Sequence, residues 1–162
     1  MNDLLEQEEL LERIADARES KEDDLESKYL TFKLDGQEYG LNLQHIMEII
    51  SVPTITHVPK LPRFIEGILN LRGKVLPVIN MRIRFGKQAV EFNDETCILV
   101  TQYEDTQVGL IVDGVNEVVN IAATDILEPP NVNDINANFV TGVYNDGKRI
   151  RLILDCDQVL NS

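Results

Sequence analysis

The chain has 162 residues, enough for one ordinary domain or two very small ones, and its 43% apolar and 27% charged residues are those of a soluble globular protein. A net charge of −13 repels phosphate backbones and disfavours nucleic acid as a partner. Cys97 and Cys156 give no disulfide framework and no metal spacing, no apolar run is long enough to insert directly into a membrane, and the acidic N-terminus is unlike a secretory signal, so a cytoplasmic protein is expected.

Residues 1–28 form an acidic leader, holding 11 of the 28 Asp/Glu against 4 of the 15 Lys/Arg. Leu4, Leu5, Leu10, Leu11, Ile14 and Ala15 fall roughly at helical spacing. The pattern then fades into charge, and Arg18 and Lys21 interrupt the apolar stripe. The expectation is a solvated leader, partly helical or disordered, in preference to an amphipathic segment that docks a partner.

From Tyr29 the period changes to two. Leu30, Phe32 and Leu34 alternate with Thr31 and Lys33, Asp35-Gly36 signals a tight turn, and Gln37–Leu43 reads as the return strand. A third strand over Gln44–Val52 is followed by Pro53, Pro59 and Pro62, which exclude a long helix. Arg63–Glu66 is read as one helical turn. Then come two short apolar runs, Ile68–Leu71 and Val75–Met81, joined at Arg72-Gly73-Lys74 as in a β-hairpin. Asn70 and Arg72 are polar among apolar neighbours, and Pro77 places its strand at an edge or a bulge.

The second half repeats the first. Gly40, Leu41 and Glu48 match Gly109, Leu110 and Glu117 at one constant offset. Phe64, Gly67, Asn70 and Asn80 match Phe139, Gly142, Asn145 and Asp155 at a second, slightly longer offset. The difference between the offsets falls in the connector Asn120–Asn138, which carries Pro129-Pro130. An internal repeat of this kind governs the fold. Each half offers about five short strands, too little to bury a comfortable core alone, and such strands escape open edges by curling into a barrel. The expected fold is all-β: two pseudo-repeated five-stranded barrels packed side by side, from repeats at 29–88 and 95–160, after the leader. A terminal strand can cross from one barrel to the other, so boundaries in sequence need not match those in space. Gly67, Gly73 and Gly142 are expected at structural turns, and Asp157–Ser162 as a last helical turn.

Residues suited to catalysis are sparse. His45 and His57 belong to no ligand spacing, and there is no GxSxG, phosphate-binding loop or dinucleotide fingerprint. Cys97 and Cys156 read as small core hydrophobes. No catalytic residue, metal site or cofactor is assigned, and a binding module is favoured over an enzyme. Three features offer recognition surface. Glu48 lies in His45-Ile-Met-Glu-Ile-Ile50, where the plainer reading is a strand with its polar side in water. No acid occurs from Gly67 to Val90, while Arg72, Lys74, Arg82, Arg84 and Lys87 do, a basic island that is either a partner surface or a solvated face. Arg72 offers a planar fork of donors, which braces one barrel against the other or anchors a partner.

The stretch Gly67-Ile-Leu-Asn-Leu-Arg-Gly-Lys-Val-Leu-Pro-Val-Ile-Asn-Met-Arg82 resembles the G-x-x-N-L-R-G-x-V-x-P-V-x-D-L-R signature of the CheW family of bacterial chemotaxis coupling proteins. Tyr39-Gly-Leu41, His45–Ile49 and Val108–Val115 support it, and the resemblance runs from about Tyr29 to Leu160. Asn80 stands where the family has Asp and Met81 where it has Leu, so a salt bridge at position 80 is not carried over.

The resemblance implies SH3-like barrels and a scaffold without catalytic activity that couples chemoreceptors (methyl-accepting chemotaxis proteins) to the histidine kinase CheA. It implies that the helical cytoplasmic tip of a receptor docks in the groove between the barrels, on a surface that includes Ile46, Glu48, Asn70, Leu71 and Arg72. The CheA regulatory domain would attach at barrel ends, other CheW-like domains in arrays are candidate further partners, and the protein would lie at the inner face of the membrane through receptor arrays. An adaptor for a receptor-kinase system not controlling motility is the alternative. With neither kinase nor receiver segment before Ser162, a stand-alone coupler is expected.

Overall fold

The structure, a computed structural model, describes residues 3–18, 25–130 and 138–161. The charged continuation of the leader at 19–24 and the connector stretch 131–137 lie outside the described residues.

Among the described residues, ten strands follow a helix. The helix is α1 (Asp3–Arg18), and the first five strands are β1 (Lys28–Leu34), β2 (Gln37–Asn42), β3 (Ile46–Ser51), β4 (Ile65–Leu71) and β5 (Lys74–Asn80). A short helix α2 (Met81–Arg84) precedes β6 (Cys97–Tyr103), β7 (Thr106–Val112), β8 (Gly114–Asn120), β9 (Val140–Asn145) and β10 (Ile150–Leu154), and α3 (Cys156–Asn161) closes the described chain. The strands form two five-stranded sheets, in the orders β8-β1-β2-β10-β9 and β3-β6-β7-β5-β4. Advancing every strand by five converts one order into the other. Each sheet therefore joins the first hairpin of one half to the last three strands of the other half.

The pairings repeat in the same way. The β1–β2 and β6–β7 hairpins are antiparallel, and β10–β2 and β5–β7 are parallel. Both outer pairings, β1–β8 and β3–β6, shift register by a bulge, between Leu30 and Phe32 and between Ile46 and Glu48. A connector residue closes each sheet into a barrel: Thr56 bridges Ile68, and Leu127 bridges Val143.

The repeated residues are explained by this architecture. The backbone N–H of Asn80 donates to the Phe64 carbonyl and that of Asp155 to the Phe139 carbonyl, both at 2.8 Å. The Asn80 and Asp155 side chains then accept from Ile83 N–H and Gln158 N–H, so each caps the short helix that follows. Gly67 and Gly142 lie inside β4 and β9, not at turns as expected from the sequence. The reason is close approach of the barrel-closing connectors. A Cβ at Gly67 would overlap the Thr56 carbonyl oxygen, and one at Gly142 would overlap a methyl of Ile126. Gly73 is at a turn: Arg72 and Gly73 have φ of +51° and +84°, the backbone of a two-residue type I′ hairpin.

The main core lies between the sheets. Leu30, Phe32, Leu34, Tyr39 and Leu41 of one barrel pack with Ile46, Ile49, Leu99, Val108 and Leu110 of the other. The barrel of β3–β7 has its own apolar interior: Leu69, Leu76, Val78, Ile98, Val100 and Ile111. Among the described residues the other barrel shows no separate apolar cluster. Where the first has Leu76, it has Arg151 at the equivalent place of the repeat, buried beside Glu38, Glu117 and Asp146. Where the first has Val100, it has Thr31, whose hydroxyl donates to the Glu117 carbonyl at 3.0 Å.

The leader is more than a solvated segment. In α1, Leu10 and Ile14 are buried in the inter-sheet core and Leu11 packs partly against it. Two aliphatic side chains one turn apart share a helix face, and that suffices to seat the helix although Arg18 and Lys21 follow.

Candidate functional site

The side chains that resemblance assigns to partner binding converge around β3 and the β4–β5 turn. The type I′ turn holds Arg72 outward, and the Asn70 carboxamide oxygen accepts from Gly73 N–H at 3.1 Å to fix the turn. The Asn145 carboxamide oxygen also accepts from its own turn, from Gly147 N–H two residues on at 2.9 Å, so the use of asparagine to fix the turn belongs to the architecture. From the turn the Arg72 guanidinium reaches Glu48 with two parallel bonds, Nη1 to Oε1 at 2.8 Å and Nη2 to Oε2 at 2.9 Å. The arginine side chain stays 74% exposed and the glutamate 22%. The bonds to Glu48 and its charge raise the Arg72 pKa above the usual value for arginine. A preformed, exposed, bidentate ion pair is a directional polar feature on an otherwise apolar strand edge.

The remaining residues differ in reach. Leu71 is half-buried against the interior of its barrel, and Ile46 is fully buried in the core that also holds Leu10 and Ile14. The bulge after Ile46 leaves Met47 exposed beside Glu48. β3 thus presents Met47 and Glu48 outward while Ile46 and Ile49 face the shared core.

Most of the basic island is internal wiring. Arg82 forms a fork with Asp113, Nε to Oδ1 at 2.8 Å and Nη2 to Oδ2 at 2.6 Å, and lies 3.6 Å from Asp35. Lys87 also lies 3.6 Å from Asp35. These contacts tie α2, after one barrel, to the β1–β2 turn and the start of β8 in the other. Burial pushes the Asp113 carboxyl up, but the Arg82 bond, the Asp35 N–H and the charges of Arg82 and Lys33 outweigh it and hold the pKa below the usual value. Arg84 sits over the Phe64 ring at 4.2 Å and the Phe139 ring at 4.9 Å, and donates to the Gln158 and Val159 carbonyls near the end of α3. Sequence spacing does not reveal these uses, because each partner lies far away in the chain.

The structure offers little for covalent chemistry. Burial pushes the Cys97 and Cys156 thiols up to about 12, which keeps them protonated and unreactive at neutral pH. His45 is half-buried, with Nδ1 3.3 Å from the Gln102 carbonyl and its ring 5.5 Å from that of Tyr103. Among the described residues no group of three or more His, Cys, Asp or Glu is placed to hold a metal ion, and no helix is long and apolar enough to cross a membrane.

Sequence reasoning missed the groove between the barrels as it stands here. α1 lies against β3 and β8, strands of different barrels, and against the 3-10 turn Leu43–His45 between β2 and β3. The signal that was available is the Leu10–Ile14 spacing.

Comparison with known proteins gives a concordant result. The model of the CheW-like domain matches residues 28–162. Chemotaxis protein CheW of Klebsiella aerogenes is 31% identical over 136 residues, covering 83% of this chain and 82% of that protein. Chemotaxis protein CheW of Helicobacter pylori is 32% identical over 143 residues, covering 87% of each. The crystal structure of scaffolding protein TtCheW from Thermoanaerobacter tengcongensis superposes with a TM-score of 0.78 at 34% identity, over 84% of this chain and 93% of that one.

Proposed function

Since the chain belongs to the CheW-like domain family, we propose that it is a non-catalytic scaffold that couples chemoreceptors to the histidine kinase CheA. The observation that carries this reading is the similarity to chemotaxis CheW proteins and to a scaffolding protein over most of the chain. The geometry of the site agrees: its polar centre is a preformed Arg72–Glu48 fork.

In this reading the helical tip of a receptor meets the β3 side of the inter-barrel groove. Met47, Glu48 and the turn Asn70-Leu71-Arg72 meet it first. The Arg72 fork then offers a receptor carboxylate or carbonyl a donor array already held in place. The CheA regulatory domain attaches at the barrel ends. Val75 and Ile150 support this part, because they are equivalent in the repeat, stand at the starts of β5 and β10 beside the two hairpin turns, and are 62% and 53% exposed. An exposed aliphatic side chain at the same place in both barrels suits strand-end contacts with a similar barrel. The protein then resides at the inner face of the membrane through its receptors.

Co-sedimentation with a receptor cytoplasmic fragment and a CheA regulatory domain tests the reading. The expected outcome is that both are retained, and that Arg72→Ala and Glu48→Ala lower receptor retention with an unchanged melting curve. Kinase output in receptor arrays that is the same with and without the protein would overturn it.

A further inference from the structure

The groove between the barrels already holds a helix, and that helix is not part of either barrel. The two sheets are complete and equivalent under the five-strand shift, which gives α1 no counterpart in the second half. The family's domain begins at residue 28, after α1. Among the described side chains of the helix, at residues 8–16, Leu10 and Ile14 are buried and Leu11 is half-buried, while Glu8, Glu9, Glu12, Arg13 and Asp16 are exposed. On the β8 side α1 also borders open space. A polar cavity of about 470 Å³ opens there, lined among others by Glu9 and Arg13 of α1 and by Lys33, Glu95, Glu117 and Arg149 of the barrel. The apolar part of the contact is thus a short aliphatic stripe on the inter-sheet core, beside charged residues.

We infer that α1 is an intramolecular ligand of the groove between β3 and β8, which an incoming receptor helix must displace. The inference rests on the receptor-docking reading above. Leu10 and Ile14 share one cluster with Ile46 and Ile49 of β3, and Val115 and Val118 of β8 pack against that cluster. An amphipathic helix docking in a groove anchors itself by aliphatic side chains three or four residues apart. That is the spacing of Leu10 and Ile14, so a second helix needs the floor that α1 occupies. Ile46, assigned to receptor binding by resemblance, is fully buried in the cluster that also holds Leu10 and Ile14. When a competing segment fills a site for 90–99% of the time, apparent affinity falls by about 10- to 100-fold.

Hydrogen exchange on the full chain tests this. The α1 amides of residues 8–16 are expected to be protected in the free protein and to lose protection when a receptor cytoplasmic-tip fragment is added, while β1–β10 keep theirs. Protection of α1 that persists in the complex, or is absent from the free protein, overturns the inference. The full-length double variant Leu10→Glu/Ile14→Glu gives the second measurement. Its expected affinity for the fragment is about tenfold or more above that of the wild type, with strand protection unchanged. Equal affinity overturns the displacement but leaves the scaffold reading intact. Failure of both proteins to bind overturns both. Loss of strand protection in the variant makes α1 a part of the core and likewise overturns it.

Discussion

Glu48 and Glu117 occupy equivalent places in the two barrels, and each meets an arginine, but with opposite consequences. Arg151 is 3% exposed and lies 3.4 Å from Glu38, 3.1 Å from Glu117 and 3.1 Å from Asp146. Replacing it in Arg151→Met leaves the buried Glu38 with Arg149 at 3.4 Å and the Asn116 amide as partners. Removing one member of a buried ion pair costs about 3–5 kcal/mol. The surviving partners, and the half-exposed position of Glu117, place the cost here near the lower end, about 3 kcal/mol, or a fall in melting temperature of roughly 10 °C for a domain of this size. Restoring neutrality in Arg151→Met/Glu38→Gln should recover part of the loss, with a coupling of about 1 kcal/mol or more in a double-mutant cycle by urea denaturation. Arg72→Ala, by contrast, removes an exposed side chain, and its melting temperature should stay within about 3 °C of the wild type. Equal losses for Arg72→Ala and Arg151→Met would refute the distinction and make Arg72 a structural brace. Absence of coupling between Arg151 and Glu38 would refute the buried network.

Other substitutions test the architecture. Gly67→Ala drives a methyl into the Thr56 carbonyl and strains the paired bonds between Thr56 and Ile68, each 2.9 Å, so a loss of about 3 kcal/mol or more is expected in chemical denaturation. Gly142→Ala meets first a γ-methyl of the β-branched Ile126, which yields only by a change of rotamer, and should cost less than Gly67→Ala because no backbone atom is struck first; the reverse order would count against barrel closure at Thr56. Asp155→Ala removes the side-chain cap of α3 and should cost about 1 kcal/mol by the same measurement. Burial lowers the His45 pKa against the smaller raising effects of the Gln102 carbonyl and Asp155. Its folded value therefore lies below its unfolded value near 6.5, so its contribution is present above that pH and is lost as pH falls through the folded value. Melting temperature should accordingly fall less between pH 7.5 and 5.5 in His45→Gln than in the wild type.

The repeat made the barrels legible because barrel closure needs the same groups at the same places. Phe64 and Phe139 receive the N–H groups of Asn80 and Asp155, and each of those two residues caps a helix, so both copies kept them. The partnership of hairpins was not legible. β1–β2 and β6–β7 carry the same pattern in the two halves, and either would satisfy either set of three strands by local pairing alone. What decides is the connection from β2 through the 3-10 turn Leu43–His45 into β3, which continues in the other sheet. The basic island was misleading for a related reason. Sequence shows that Arg82, Arg84 and Lys87 lack nearby acids, but Asp113, Asp35 and the Phe64 and Phe139 rings reach them only in the folded molecule.

The site divides along the same line between what is duplicated and what is not. Hairpin asparagines, closing glycines and cap residues occur twice, and each has a structural task. The Arg72 fork and α1 occur once each. Arg72 falls where the second copy has Gly147, and Glu117, the counterpart of Glu48, is bound instead to Arg149 and the buried Arg151. A partner that approaches both barrels therefore meets the two glutamates in different settings, Glu48 with the exposed Arg72, and Glu117 with the exposed Arg149 and the buried Arg151. The pseudo-symmetry of the scaffold is thereby broken at its surface. α1 breaks it a second time by lying on β3 and β8 at once. The two singular features meet on β3, where Glu48 faces out and Ile46 faces in, so the docking and the displacement proposed above would both act on one strand.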